Sequence, residues 1–220
     1  MIKERIAEIR STLPEGVTLV CVTKFHPVER LMEAYEAGER DFGESRVQEL
    51  VRKYEEMPKD IRWHFIGHLQ TNKIRQIVPF VHLIQGVDSL HLLEEISKEA
   101  QKIGKVVNVL IEFHVAEELT KSGFSPEDAD SLQAIIDLNH APAFLREYPG
   151  VNIIGVMGMA SNTDDLGRIR QDFEQLASLF RYLFPRGGVL SMGMSGDFPL
   201  AIQAGANMIR VGSLIFGERE

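Results

Sequence analysis

Short apolar, β-branched runs alternate with helix-period segments along the whole chain, and that order constrains its fold more than any other feature. Val17-Thr-Leu-Val-Cys-Val-Thr-Lys24 reads as a strand by its β-branched content. Pro27 opens a helix with Leu31, Ala34 and Tyr35 on one face, and Gly38 ends it. Asp41-Phe-Gly-Glu44 is a short strand, followed by a helix from Val47 to Met57 that Pro58 stops. Strand candidates Arg62–Gly67, His82–Val87 and Val106–Val115 are separated by helical stretches around Asn72–Val78 and Leu90–Ile103. Ser125 and Pro126 supply the N-cap and first position of the next helix. Strands Val151–Met159 and Val189–Gly193 flank a long helix, Asp165–Phe184. A helix over Asp197–Ala204 precedes the last strand, Met208–Phe216. Ile2, Ile6 and Ile9 share one face of a leading amphipathic helix.

About eight strands, nearly every one followed by a helix, imply a parallel sheet with right-handed crossovers. Eight such units close into a (β/α)8 barrel, an α/β TIM barrel, and 220 residues sit in that fold's lower range. The alternative is an open doubly wound sheet, but no G-x-G-x-x-G turn follows the first strand. Without a linker, low-complexity tract or repeat, residues 1–220 are expected to form one barrel domain. A formal charge of -8 argues against nucleic acid, because phosphate neutralisation needs clustered cations and Lys73 with Arg75 is too short a cluster. Cys21 is the only cysteine, so neither an intrachain disulfide nor a cysteine-rich zinc site can form. No apolar run approaches the roughly 20 residues of a membrane span, and the N-terminus lacks a signal peptide's apolar core. The expectation is a cytoplasmic protein.

In such a barrel the chemistry sits at the C-terminal ends of the strands. Strand period two puts Val20, Val22 and Lys24 on one face of the first strand. If that face is inward, an amine stands at the mouth of an apolar barrel. Desolvation there lowers a lysine from its reference pKa of about 10.4 and readies it to form a Schiff base with a carbonyl. The plainer alternative is a lysine whose stem leaves the core and whose ammonium reaches water. Ser191-Met-Gly-Met-Ser-Gly-Asp197 and Arg210-Val-Gly-Ser213 follow strands seven and eight, where barrels tend to bind phosphate. Glycines there let the backbone approach an anion, and Ser195 and Ser213 add hydroxyls. Ordinary strand-to-helix turns also favour these residue types. Taken together, the lysine and the two loops describe a phosphate-bearing aldehyde tethered to an amine.

The segments Val22-Thr-Lys24, Phe42-Gly-Glu44, Trp63-His-Phe-Ile-Gly67 with Leu69-Gln70 and Asn72-Lys73, Ser191-Met-Gly-Met-Ser195 and Arg210-Val-Gly-Ser-Leu-Ile-Phe-Gly217 resemble the pyridoxal phosphate homeostasis protein family. That family is similar to the N-terminal barrel domain of alanine racemase, a fold type III pyridoxal phosphate protein. The resemblance runs from Val17 to Glu218. It implies that Lys24 holds pyridoxal 5'-phosphate as a Schiff base, that Ser195, Gly212 and Ser213 hold its phosphate, and that Arg210 faces the ring nitrogen. A guanidinium cannot accept a proton, so it would leave that nitrogen unprotonated and the cofactor a weaker electron sink. The alternative for Arg210 is an interior ion pair with a carboxylate such as Glu112. The family often has Asn where Ser45 stands and Thr where Ser213 stands. The first difference removes donors from any ring contact; the second keeps the hydroxyl.

His68, at a strand end, reads either as a proton-transfer group or as a solvated loop histidine. His64, His82, His91, His114 and His140 show no metal-ligand spacing. Asp164 and Asp165 read as the capping region of the long helix, Glu117 and Glu118 as solvated. Met157, Met159, Met192 and Met194 read as barrel filler or pocket lining. Racemisation needs a second base, which alanine racemase draws from another domain of its partner subunit. This chain ends at Glu220, and Tyr35, Tyr54, Tyr148 and Tyr182 all fall away from strand mouths. The resemblance therefore implies buffering or delivery of pyridoxal phosphate, with apo pyridoxal phosphate enzymes as partners, little or no turnover, and a monomer. A weak pyridoxal phosphate racemase and a Schiff-base sugar-phosphate aldolase are the competing enzyme readings.

Overall fold

The structure, a computed structural model, describes residues 1–118 and 122–217. Residues 119–121 and 218–220, including Glu218 and the chain's end at Glu220, lie outside the described residues. Eight strands, β1 (Thr18–Val22), β2 (Asp41–Glu44), β3 (Arg62–Phe65), β4 (Leu83–Val87), β5 (Val107–Phe113), β6 (Val151–Gly158), β7 (Val189–Ser191) and β8 (Met208–Val211), pair in sequence order. All eight pairings are parallel, and β8 returns to β1, which closes the barrel. This is the expected (β/α)8 architecture. The helices are α1 (Ile2–Thr12), α2 (Val28–Glu36), α3 (Val47–Glu56), α4 (Ile74–Ile77), α5 (Leu90–Lys102), α6 (Ala129–Asn139), α7 (Leu166–Leu183), α8 (Phe198–Gln203) and α9 (Ser213–Phe216). No helix among them is long and apolar enough to cross a membrane.

Local chemistry accounts for some boundaries. Asp165 caps α7 by accepting from the amides of Gly167 (2.8 Å) and Arg168 (3.2 Å). Ser125 and Asp128 form a capping box, though the turn they start is a short 3-10 segment that leads into α6. Two expectations change. The last strand stops at Val211, and Ser213–Phe216 turns into α9 although its side chains are as apolar as a strand's. Around Asn72 the expected helix divides into a 3-10 turn, Thr71–Lys73, and α4.

Two apolar layers hold the barrel. Leu19, Cys21, Phe42, Trp63 and Ile209 face outward under the helices, where α1 buries Ile2, Ile6 and Ile9. Each such side chain is worth about 1.5–3 kcal/mol when fully buried. Val20, Leu83, Leu110, Met157 and Met208 pack inside. The strand period then puts the next inward residues, Val22, Gln85, Glu112 and Arg210, one layer nearer the C-terminal mouth. The inner core is thus apolar in its middle and polar directly above it.

Candidate functional site

Lys24 lies two residues beyond β1, on the face of Val20 and Val22, as the strand period requires. It lines a cavity of about 300 Å³ at the barrel mouth with Val22, Ser195, Arg210, Gly212 and Ser213. All five candidate residues therefore meet in one place. Met159 and Met194 close its side while Met157 packs the inner core, in keeping with their filler reading.

The segment carrying Lys24 is braced from below. His26 N–H donates to Thr23 O at 3.1 Å, closing a tight turn that holds Phe25 at φ +68°. Glycine is usual at such an angle, and a bulky residue stays there only where its surroundings hold it. They do: Glu49 accepts from the Phe25 amide at 3.2 Å, and the Arg46 guanidinium sits 4.7 Å over its ring. Beneath the turn Lys53 is wholly buried; it donates to Thr23 O at 2.8 Å, contacts Glu49 at 3.4 Å and forms a close ion pair with Glu44. Thr23 Oγ1 donates to the same Glu44 carboxylate at 2.8 Å. Sequence reasoning missed this cluster. Lys53 follows Val47 and Leu50 at helical spacing on the buried face of α3, and that position was its only signal.

Across the cavity the backbone amides of Gly212 and Leu214 point at Ser195 Oγ, at 3.3 and 3.5 Å. Two amides of the turn after β8 thus converge on one hydroxyl oxygen of the β7 loop, an arrangement that suits a phosphate. The β7 loop reaches that position through Gly193 at φ +94°, where a Cβ would stand 2.6 Å from Ala201. Arg210 is buried, and burial draws its guanidinium down to about 10, so it stays charged at neutral pH. It donates to Ser191 Oγ at 2.6 Å and Gly158 O at 3.0 Å, and no ion pair to Glu112 forms among the described residues. Glu112 is 4% exposed, and burial, then the neighbouring Asp88 carboxylate, push its carboxyl up to about 7.

The remaining candidates lie elsewhere. His68 is exposed, its Nδ1 2.8 Å from Asp88 Oδ2, and it lines a second cavity with Arg46, Gln70 and Lys73. Ser45 lines both cavities. Glu117 and Glu118 are not simply solvated: Glu117 pairs with Arg168 at 3.0 Å, and Glu118 accepts from the Asn162 amide at 2.7 Å, which joins the loops after β5 and β6. His91, Glu94 and Glu95 bring ligand atoms within 4.8 Å of one another, but both carboxylates already pair with Lys98, at 2.8 and 2.9 Å. Among the described residues no tyrosine lines the mouth cavity.

Known proteins resemble this chain over most of its length. The family model for the alanine racemase N-terminal domain matches residues 1–220. A pyridoxal phosphate homeostasis protein of Aquifex aeolicus (strain VF5) is 39% identical over 207 residues, 92% of this chain and 87% of that protein. The structure of PipY from Synechococcus elongatus PCC7942 with pyridoxal phosphate bound superposes with a TM-score of 0.87 at 35% identity, covering 99% of this chain and all (100%) of that one. An alanine racemase of Clostridium difficile 630 shares the fold at TM-score 0.78 and 15% identity; this chain covers 56% of it.

Proposed function

The chain belongs to the alanine racemase N-terminal domain family and, within it, to the pyridoxal phosphate homeostasis proteins, and from that premise we propose that its mouth cavity holds pyridoxal 5'-phosphate through Lys24 for intracellular buffering or delivery. The observation that carries this reading is the convergence of Lys24, Ser195, Arg210, Gly212 and Ser213 on one cavity. When bound, the cofactor supplies an aldehyde that condenses with a primary amine, releasing water, and a phosphate dianion. Lys24 Nζ is the amine. The Gly212 and Leu214 amides with the Ser195 and Ser213 hydroxyls are the anion donors, and Ser195 Oγ, on which those amides already converge, is the oxygen a phosphate joins or displaces. Arg210 supplies the donor toward the ring nitrogen, and because guanidinium only donates, that nitrogen keeps its lone pair. A ring held in this way withdraws electrons weakly, which suits a carrier better than a transaminase. A racemase also needs a base on the opposite face, and among the described residues the cavity lining offers no tyrosine for it.

The test is the visible spectrum of the purified protein mixed with pyridoxal phosphate. We expect the wild type to gain a band that borohydride reduces and fixes to the chain, and Lys24→Ala to gain none. A wild-type protein without that band would end the cofactor assignment. Transfer of the bound cofactor to an apo-enzyme then distinguishes delivery from storage, and sustained interconversion of one amino acid's enantiomers would favour the racemase instead.

A further inference from the structure

Inside the barrel, below the mouth, five polar side chains from five strands form a single file. Arg210 Nη1 donates to Ser191 Oγ at 2.6 Å, and Ser191 Oγ donates to Gln85 Oε1 at 2.6 Å. Gln85 Nε2 lies 3.0 Å from His64 Nδ1 and 3.3 Å from Met208 Sδ. His64 Nε2 lies 3.0 Å from Asp41 Oδ1, and Arg62 clamps both oxygens of Asp41 at 2.8 and 2.5 Å. All five members, Arg210, Ser191, Gln85, His64 and Asp41, are buried. The cofactor reading uses only Arg210.

The file has a direction that its chemistry imposes. Arg210 can only donate, so the Ser191 hydroxyl accepts there and must spend its own proton on Gln85 Oε1. That turns the Gln85 amide nitrogen toward His64 Nδ1, which accepts. Asp41 at the far end only accepts, so His64 carries its hydrogen on Nε2. Every group is satisfied when His64 is neutral with that tautomer. A second proton on Nδ1 would face the Gln85 amide hydrogens. Turning the amide over would then aim two donors, Gln85 and Arg210, at Ser191 Oγ and leave the Ser191 hydroxyl hydrogen without its acceptor. A buried network half satisfied in this way is costly.

We propose that His64, Gln85 and Ser191 are positioning residues for Arg210, so that the neutral form of His64 and a pyridine-ring ligand at the mouth favour one another. The inference rests on the proposed cofactor reading for the ligand, but the link between His64 and Arg210 exists without it. By reciprocity, a ligand that needs Arg210 held in place makes His64 harder to charge, and charging His64 weakens binding of that ligand. The groups facing His64 are Asp41 from β2, Gln85 from β4, His82 at a ring distance of 5.5 Å, and Arg62 from its own strand by way of Asp41. Glu112 and Asp197 act on the Arg210 end.

The experiment is a pH titration of nitrogen-15-labelled histidine by NMR, on the ligand-free protein and on the protein saturated with pyridoxal phosphate. In the ligand-free wild type His64 should show the Nε2–H tautomer at neutral pH. Ser191→Ala, which changes no charge and lets the Gln85 amide turn, should raise the proton affinity of His64 by about fivefold or more. Saturation should lower it by a similar factor in the wild type and not in Ser191→Ala. Glu112→Gln, carried in parallel, removes the carboxyl near the Arg210 end that burial raises to about 7. An unchanged His64 in ligand-free Ser191→Ala overturns the relay whatever the cofactor does. Equal His64 titrations with and without ligand, in protein that carries the visible band, overturn the coupling while leaving the cofactor reading intact. Absence of that band overturns the cofactor reading, and the ligand-free comparison still decides the relay.

Discussion

The corner beneath Lys24 and the file beneath Arg210 are both buried polar systems, yet they support the mouth by different physics. The corner is charged and local: Thr23, Glu44, Glu49 and Lys53 lie within about thirty residues of one another, and a full ion pair sits out of water. The file is mostly neutral and long-range, running from Asp41 to Arg210 across the barrel, with its charges only at the two ends. A buried charge pair tolerates no missing partner, because the survivor is left uncompensated. A hydrogen-bond file instead tolerates only one direction of its protons. One system therefore sets where Lys24 sits, and the other sets how Arg210 is presented.

The largest expected effect breaks the corner. Lys53→Ala leaves Glu44 buried and uncompensated, and unfolding by denaturant should show a loss of about 3–5 kcal/mol. The pair Lys53→Met with Glu44→Gln should recover most of it; a double variant as unstable as the single would refute the charge account. Next comes Glu112, at the Arg210 end of the file. Its folded pKa of about 7 lies above the unfolded value, so the wild type loses stability as pH rises from about 4.3 through 7. Glu112→Gln should be flat over that window and more stable above it by up to about 3 kcal/mol, which melting at a series of pH values would check. The smallest effect is at the file's foot. Burial alone would raise the Asp41 carboxyl, but hydrogen bonds from His64 and Arg62 outweigh it and hold it well below the ordinary carboxylate range. Its contribution is therefore present above about pH 4 and lost as pH falls through the folded value. Asp41→Asn should cost about 1–2 kcal/mol at neutral pH, with the deficit shrinking in acid. A deficit that does not change with pH would mean the carboxylate charge is not what stabilises the foot.

Much of the mouth was legible along the chain because it depends on local rules. Val20, Val22 and Lys24 share a face by strand period alone, and β2 begins and ends at Asp41 and Glu44 as its residues suggest. Asp165 announces α7 by its capping chemistry. The end of β8 was not legible, since Leu214, Ile215 and Phe216 suit a strand as well as a buried helical turn, and Ile215 and Phe216 are buried by neighbours far away in sequence. The alternative reading of Arg210, an ion pair with Glu112, does not form among the described residues; its acceptors are Ser191 and Gly158.

What the sequence by itself determined was the alternation of strands and helices, the parity that puts Lys24 on one face with Val20 and Val22, and the glycine and serine loops after the last two strands, because each follows from a period or a turn a few residues long. Only the tertiary structure decided that Asp41, His64, Gln85, Ser191 and Arg210 would touch. Gln85, Ser191 and Arg210 are each the one polar residue of an apolar strand, Asp41 and His64 sit in shorter mixed ones, and closure of the barrel in one register, with β8 against β1, brings the five into a single line of donors and acceptors.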